Sequence, residues 1–413
     1  MTGSHFSLAQ LFADGLPAPA PRWTGFAKYN FIGGHNAPER IPSEGLAAAA
    51  GAALRREGAS LALYHANGPQ GLLALREVVA SKLGARGIKA DADEVLITSG
   101  SGQGIDLVNR LFLNRGDSII IEEFTYAGAL TKLARLGVKA IGAPLDSEGL
   151  EIEPLARILA NLKREGVTPK FIYTIPTIQN PTGSILPRQR REALLALSRE
   201  YGVLLFEDEC YADLTFEEGA PSALYALDKS RVVHIGSFSK TLSPALRLGY
   251  IVAEWEVLSR LIALKRETDS GTGAIDQMAA AEYLGRNFDA HVKGLTGALR
   301  DKLATMEEAV AREFGSAVEM WRPKGGIFLW LKFPDGFDVR RLQGPAEKRG
   351  IVFNPGPEWA AAGEAAKSYM RLCFAYPSEE EIREGVAALA EVSFAETGIP
   401  QLSANIGRAG RSL

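Results

Sequence analysis

Short apolar runs alternate with amphipathic stretches through the first two thirds of the chain. The runs have the length of buried strands and lie at 94–98, 118–121, 171–175, 203–206 and 232–235. Apolar positions at helical spacing lie at 46–56, 72–83, 105–113 and 187–201. Strands that alternate with helices from about residue 94 to 253 predict a mostly parallel sheet with helices on both faces.

The pattern changes after residue 251. Helices are predicted at 258–266, 274–284, 291–314, 338–349 and 379–392, and strands at 327–333, 351–353 and 370–375. A short helix is predicted at 7–14, and the polar stretch 401–413 is predicted to be loose. A chain of 413 residues is long enough for one large and one small domain.

The composition disfavours several classes of function. A net charge of -3 provides no basic surface for nucleic acid and no polybasic patch for a membrane. No stretch approaches about 18 uninterrupted apolar residues, and the N-terminus lacks a signal-peptide pattern. Cys210 and Cys373 lie far apart and offer no disulfide framework, so a reducing, cytoplasmic location is predicted.

A lysine follows the predicted strand at 232–235, within the sequence GSFSK. Ser237 and Ser239 precede Lys240, and Arg247 lies seven residues after it. A lone lysine on a loop is most often solvated. Alternatively, Lys240 is a Schiff-base lysine with a depressed pKa, and the two serines and Arg247 bind a phosphate by charge-assisted hydrogen bonds.

A loop of small residues, SGSGQG at 99–104, lies between a predicted strand and a predicted helix. This geometry points free N–H groups and the positive end of a helix at an anion. The loop is not a GxGxxG motif, because position 105 is isoleucine, and the chain contains no GxxxxGK[ST] motif. The loop therefore indicates a bound phosphate without identifying the ligand.

Polar residues follow other predicted strands. Asn180 lies in the sequence NPTG, which by itself is a plain turn, and Asp208 follows the strand at 203–206. Arg371 lies in an apolar strand, either as a structural ion pair or as a clamp for a substrate carboxylate. Five scattered histidines show no metal-binding spacing, so no metal site is predicted. Because ligands of parallel sheets bind outside the carboxyl ends of the strands, the loops there predict one shared site.

Together, the sequences QNPTG, DECY and SFSKTLSPALRLG resemble those of fold-type-I pyridoxal-phosphate enzymes. Residues 25–392 are similar to the class I/II aminotransferase family, especially its 2-aminoadipate and multi-substrate branch. The resemblance implies an α/β fold whose large domain has a mostly parallel seven-stranded sheet between helices, with a smaller α+β domain. It implies an N-terminal segment and lid at 1–55, a large cofactor-binding domain at 56–300, a small domain at 301–395 and a tail at 396–413.

The resemblance also implies a role for each matching residue. Lys240 would form the internal aldimine with pyridoxal 5'-phosphate and then move a proton between Cα and C4′. Asp208 would pair with the pyridinium nitrogen, while Tyr211 and Asn180 would bind the ring O3′. Tyr126 would stack on the ring. The remaining cofactor-binding residues would hold the phosphate: Ser101, Gly102, Gln103, Ser237, Ser239, Arg247 and, from the other subunit of a homodimer, Tyr64.

The implied reaction moves the α-amino group of an L-amino acid to a 2-oxo acid through pyridoxamine phosphate. Arg371 would bind the substrate α-carboxylate, beside Gly34 and Asn180. His35 and Asn36 replace the usual Leu-Pro of the family where the side-chain pocket is built, and we expect both to contact substrate.

The sequence leaves a second outcome open with the same cofactor: β/γ-elimination or replacement, cyclisation, carbon–carbon bond formation or oxidation in a biosynthetic reaction. Three departures from the family pattern motivate it. They are His35-Asn36, Gly102 in place of the usual glutamine, and a helix at 291–303 without the customary tyrosine and paired arginines. A regulatory effector-binding module is disfavoured, because only about 25 residues precede the core, too few for a winged helix.

Overall fold

A computed structural model describes residues 8–13, 16–64, 68–217 and 219–400. The predicted tail at 401–413 lies outside them, and Leu8–Leu11 form a 3-10 turn within the predicted helix at 7–14. The strands are β1 (Tyr29–Asn30), β2 (Val95–Thr98), β3 (Ser118–Glu122), β4 (Lys139–Ala143), β5 (Leu145–Asp146), β6 (Gly149–Leu150), β7 (Phe171–Thr174), β8 (Leu204–Asp208), β9 (Val232–Ser237), β10 (Gly249–Val252), β11 (Glu319–Trp321), β12 (Phe328–Lys332), β13 (Ile351–Val352), β14 (Asn354–Pro355) and β15 (Tyr369–Cys373).

Seven strands form one sheet in the order β2-β10-β9-β8-β7-β3-β4. Strand β10 is antiparallel to both neighbours, and the other four pairings are parallel, which confirms the predicted fold class. Ile120 belongs to one apolar cluster, whereas Ile119 and Ile121 belong to the cluster on the opposite face. Burial on both faces explains why the strands are unbroken apolar runs.

The helices are α1 (Ser43–Glu57), α2 (Leu73–Gly84), α3 (Ser101–Phe112), α4 (Ala127–Leu136), α5 (Ile152–Arg164), α6 (Arg188–Tyr201), α7 (Leu224–Leu227), α8 (Trp255–Thr268), α9 (Ala274–Phe314), α10 (Gln343–Lys348) and α11 (Glu379–Thr397). In the described part of the chain, no helix is long and apolar enough to span a membrane.

Helix α9 corrects the sequence prediction of two helices at 274–284 and 291–314. It runs unbroken for 41 residues, because residues 285–290 contain no proline. The apolar pattern breaks there because the helix changes partner: Leu284 packs in the core of the large sheet, whereas Leu295 packs in a second core.

The second core surrounds a four-stranded antiparallel sheet in the order β11-β12-β15-β14. Helix α11 and the second half of α9 cover this sheet, with Val386 and Val310 in the shared core. Strand β1 pairs in parallel with β13, and the carbonyl of Phe31 accepts the Cys373 N–H at 2.8 Å. The N-terminal segment therefore lies beside the small sheet, next to β15.

The predicted domain boundary between residues 300 and 301 falls inside α9. The helix changes from the first core to the second between Leu284 and Leu295, about three turns earlier. The exact division of the chain into domains stays a prediction.

Candidate active site

The loops after the sheet strands enclose a cavity of about 150 Å³. The carboxyl ends of β8 and β9 and the first turn of α3 meet around it, as the sequence predicted for parallel strands. Ten of the predicted site residues line it: Ser101, Gly102, Tyr126, Asn180, Asp208, Tyr211, Ser237, Ser239, Lys240 and Arg247. Ile175 and Cys210, which were not predicted, complete the wall.

Lys240 lies in a turn just after β9. Its Nζ donates to the carbonyl oxygen of Gly34 at 2.7 Å. Burial lowers the pKa of the Lys240 amine to about 8, which makes the neutral, nucleophilic form accessible near neutral pH. The side chain is therefore held in place and chemically activated.

Asp208 ends β8 and is only 4% exposed. Its carboxylate accepts the Tyr173 hydroxyl at 2.7 Å and the Cys210 N–H at 3.1 Å. Burial raises the pKa of Asp208, and no ion pair neutralises it among the described residues. A buried carboxylate that lines a cavity without a counterion is suited to bind a positively charged ring nitrogen.

Several donors for an anion converge at the first turn of α3. Ser101 begins the helix, and Ser237 and Ser239 line the same end of the cavity. Gly100 has a φ of 79°, and a Cβ at this position would collide with the Arg247 guanidinium. Arg247 donates to main-chain carbonyls and forms no ion pair with a described carboxylate. A guanidinium, hydroxyls and a helix N-terminus together match a phosphate group.

Arg371 on β15 is 2% exposed and contacts neutral oxygens. Its guanidinium donates to Asn180 Oδ1 at 3.1 Å, to the Gly33 carbonyl at 3.1 Å and to Asn354 Oδ1 at 2.7 Å. Its Nε has no partner, and burial lowers the pKa of Arg371 to about 10. The group stays protonated at neutral pH, so a buried positive charge lies in the site without a carboxylate partner within the described ranges.

Two aromatic rings cover the same guanidinium. Its central carbon lies 3.4 Å from the ring centroid of Trp359 and 3.7 Å from that of Phe328. Stacking of this kind stabilises the cation and fixes the plane of its N–H groups. Arg371 is therefore oriented before any ligand binds.

The N-terminal segment 33–36 closes one side of the site. Gly33 has a φ of 79°, and the ring of His35 folds back over it. The His35 ring packs edge-on against Phe26 and Tyr376, at centroid distances of 6.0 and 6.2 Å. We call these three rings the aromatic wall. Burial and the nearby Lys240 lower the pKa of His35, so its imidazole is neutral at pH 7.

Asn36 is 7% exposed, and its Nδ2 donates to the main-chain carbonyl of Lys240 at 2.7 Å. The side chain thus contacts the backbone of the lysine. Its predicted contact with substrate stays a prediction.

Two predicted cofactor residues are not among those that line the cavity. Gln103 donates to Asp269 at 2.7 Å and accepts the Ser99 N–H at 2.8 Å, which directs its side chain away from the cavity. Tyr64 is 86% exposed and lines a separate small cavity beside Gly71 and Gln277. Their assigned roles stay predictions, and so does the predicted contact of Tyr64 with a cofactor in another subunit.

A buried glutamate links two loops that carry site residues. Glu122, at the end of β3, accepts the Thr174 hydroxyl at 2.5 Å and the Gln179 side-chain amide at 3.0 Å. Gln179 also donates to the Phe124 carbonyl at 2.6 Å, so the loops before Tyr126 and Asn180 are joined. Burial raises the pKa of Glu122 to about 7.

Sequence reasoning missed Tyr173, Phe328, Asn354 and Trp359. Tyr173 offered one usable signal, because a tyrosine hydroxyl in a buried strand requires a hydrogen-bond partner. Phe328 and Trp359 are ordinary core residues by sequence pattern, and Asn354 looks like a turn residue before Pro355. Only the pairing of β14 with β15 brings Asn354 opposite Arg371.

Known proteins resemble the chain over most of its length. The sequence model of the family described as aminotransferase class I and II matches residues 40–389. A 2-aminoadipate transaminase of Thermus thermophilus is 35% identical over 364 residues, 87% of this chain and 88% of that protein. Aromatic-amino-acid aminotransferase 1 of Thermococcus litoralis is 33% identical over 365 residues, 88% and 87% of the two chains.

One solved structure places a cofactor derivative in this fold. The α-aminoadipate aminotransferase LysN of Thermus thermophilus, complexed with N-(5'-phosphopyridoxyl)-L-leucine, superposes with a TM-score of 0.85 at 32% identity. The match covers 95% of this chain and 100% of that one.

Proposed function

Because the chain belongs to the class I and II aminotransferase family, we propose that it acts through Lys240 at the cavity described above. The protein is a pyridoxal-phosphate-dependent aminotransferase, which moves the α-amino group of an L-amino acid to a 2-oxo acid. One observation supports this site above all: a lysine amine with a pKa near 8 and a buried carboxylate without a counterion line the same cavity.

The donor set of the cavity fits pyridoxal phosphate. Bound there, the cofactor supplies an electron-accepting ring and a carbon that accepts and returns an amino group. Asp208 would hold a proton on the ring nitrogen, and Ser101, Ser237, Ser239 and Arg247 would bind the phosphate. Tyr211 and Asn180 would hydrogen-bond the ring oxygen, and Tyr126 would cover the ring. These roles rest on geometry and on the family resemblance.

Lys240 moves the proton of the reaction. Its Nζ is neutral in a useful fraction of molecules near pH 7, because burial disfavours the ammonium form. With pyridoxal phosphate bound, an amine in this state would accept a proton from the substrate Cα as a general base and would then donate it as a general acid. The Gly34 carbonyl holds the free amine at 2.7 Å when it is not covalently engaged.

Arg371 binds the α-carboxylate of the amino-acid substrate. The guanidinium is buried and stacked, and its Nε has no partner, so a substrate carboxylate supplies the missing negative charge. Asn180 accepts a hydrogen bond from Arg371 and so helps to orient the guanidinium.

We place the side chain of the substrate against the aromatic wall, because His35 follows Gly34, whose carbonyl accepts from Lys240 Nζ. Lys240 is assigned to the amino-transfer chemistry, Arg247 to the phosphate and Arg371 to the α-carboxylate. None of these three cations is left to bind a second carboxylate on the substrate. His35 is neutral at pH 7 and packs with Phe26 and Tyr376. This surface favours a large, uncharged side chain over an acidic one.

A homodimer completes the site. Leu61, Leu63, Tyr64, Leu73 and Ile275 are all at least 40% exposed, an apolar surface typical of a subunit interface. Tyr64 of one subunit reaches the phosphate held by its partner. Both cysteines are free and buried, which agrees with a cytoplasmic location.

The visible absorption of the purified protein tests this function. The protein is saturated with pyridoxal phosphate and titrated with single amino acids, without an oxo acid. We expect a large uncharged donor to convert the cofactor stoichiometrically into pyridoxamine phosphate and release its 2-oxo acid. Regeneration of pyridoxal phosphate with a different product would instead favour elimination, cyclisation or another reaction. No visible band with added cofactor would contradict the proposal.

A further inference from the structure

The turn that carries Lys240 leaves several main-chain carbonyls without a helical partner, among them those of Lys240 and Thr241. Residues 238–242 form one helical turn, closed by the Leu242 N–H to the Phe238 carbonyl at 2.8 Å. In a continuing helix, the Lys240 carbonyl would accept the N–H of residue 244. That residue is Pro244, which has no N–H, and Ser243 is already extended at φ -157°. The carbonyls of Lys240 and Thr241 therefore require donors from elsewhere.

Two side chains that are distant in sequence supply them. Asn36 Nδ2 donates to the Lys240 carbonyl at 2.7 Å. His291 Nε2, on α9, lies 2.6 Å from the Thr241 carbonyl. A carbonyl only accepts, so His291 carries a proton on Nε2. The backbone of the lysine is thus fixed from two sides, by the N-terminal segment and by the helix that joins the two cores.

The same N-terminal segment also contacts the end of the lysine side chain. The Gly34 carbonyl accepts from Lys240 Nζ at 2.7 Å, two residues before Asn36 holds the Lys240 carbonyl. Its neighbour Gly33 accepts from Arg371 at 3.1 Å. A Cβ at Gly34 would lie 2.5 Å from Nζ, so a larger residue would require the amine to shift. Segment 33–36 therefore sets the lysine amine and the carboxylate-binding arginine relative to each other.

We propose that Asn36 is a positioning residue for Lys240: by holding the lysine carbonyl, it fixes the direction from which Nζ approaches the bound cofactor. The inference rests on the proposed function, since it concerns the lysine that reacts with pyridoxal phosphate. The family pattern has proline at this position, which cannot donate a hydrogen bond from its side chain.

The experiment measures how fast the apoprotein captures pyridoxal phosphate, separately from turnover. Apoprotein is mixed with saturating pyridoxal phosphate, and the visible band is followed by stopped flow. Misplacement of a reacting group by a fraction of an ångström to 1 Å slows a reaction by about 10- to 100-fold. We expect Asn36→Ala to slow capture and kcat within that range. The equilibrium affinity for the cofactor and the KM for the amino donor should change less than about 3-fold, because the phosphate and carboxylate contacts remain.

Two further variants separate a positioning role from loss of fold. Asn36→Gln keeps the carboxamide and should recover most of the capture rate. Asn287→Ala removes a carboxamide from the exposed face of α9 and should match the parent. Capture by Asn36→Ala at the parental rate would overturn the inference. Equal slowing in Asn36→Ala and Asn36→Gln would overturn it as well, because the donor would then be irrelevant. If the parent protein itself forms no band, the proposed function fails instead.

Discussion

The guanidinium of Arg371 stacks on the indole of Trp359, with its central carbon 3.4 Å from the ring centroid. Phe328 covers it at 3.7 Å, and its hydrogen-bond partners are neutral oxygens. The positive charge is therefore shielded from water, fixed in orientation and without a carboxylate partner in the described part of the chain. Such an arrangement is costly unless a ligand supplies the negative charge.

Replacement of Arg371 should separate substrate binding from cofactor binding. Loss of one partner of a buried charge pair costs about 2–5 kcal/mol, so Arg371→Ala should raise the KM of the amino donor by at least about 30-fold. Cofactor affinity, measured by the visible band, should change little. Arg383→Ala, on an exposed helix face, is the matched control. An unchanged KM in Arg371→Ala would show that the α-carboxylate binds elsewhere.

The lowered pKa of Lys240 predicts a pH dependence for cofactor capture. The neutral amine attacks the cofactor aldehyde, and the pKa of the amine is about 8. At pH 7 most of the amine is protonated, so the capture rate by apoprotein should rise with pH and level off above about pH 8 to 9. A midpoint near 10.5, the value of a solvated lysine, would contradict the burial of this amine. Lys240→Ala should give no band of the lysine-bound cofactor at any pH.

Asp208→Asn should slow amino transfer without destabilising the fold. The amide matches the carboxylate in shape and still accepts from the Tyr173 hydroxyl, but it does not stabilise a protonated ring nitrogen. We expect the single-turnover rate of amino transfer to fall by about 100-fold or more, with an unchanged unfolding midpoint. Tyr173→Phe removes only a neutral hydrogen bond and should cost about 10-fold or less. An Asp208→Asn rate equal to the parental rate would exclude the electronic role.

Because of Glu122, the free energy of unfolding should decrease as the pH rises. Burial raises its pKa from 4.5 to about 7, so between these values the folded protein binds a proton that the unfolded chain has released. The stability contribution of this proton is present below pH 4.5 and is lost as the pH rises through 7. The stability of the parent relative to Glu122→Gln should therefore decrease by roughly 3 kcal/mol between pH 4.5 and 7.5. Urea unfolding at saturating cofactor measures it, and a pH-independent difference would contradict the prediction.

A heterodimer tests whether Tyr64 serves the partner subunit. We expect Tyr64→Ala to weaken cofactor binding by about 10-fold, and Lys240→Ala to be inactive. In a purified heterodimer of the two variants, one site would combine an intact Lys240 with an intact Tyr64 from the other chain. That dimer should show about half of the parental activity with parental cofactor affinity. If the heterodimer shows only the weakened affinity, Tyr64 acts within its own chain.

The sequence was informative about candidate site residues that follow the carboxyl ends of strands. Asn180, Asp208 and Lys240 follow buried apolar runs, and the rule for parallel sheets brings their loops together without knowledge of any distance. The family motifs then supplied roles that the residue types alone left open.

What the sequence did not reveal depends on contacts between distant elements. Trp359 and Phe328 surround Arg371 only because the small sheet pairs β12 and β14 with β15. Asn36 meets Lys240 because β1 joins the small domain, which no local pattern encodes. The sequence predicts two helices in place of the single helix α9, because the apolar pattern breaks where the helix passes from one core to the other.

The pairing of β1 with β13 also constrains when the site can form during synthesis. Gly33 and Arg371 are 338 positions apart, and Tyr29 pairs with Ile351. A ribosome that has made the lysine and the whole large sheet has not yet made the strand that anchors the N-terminal segment. Until β13 emerges, the segment around Tyr29 has no strand to pair with. The nascent enzyme therefore acquires its catalytic geometry last, after nearly all of its mass has been translated.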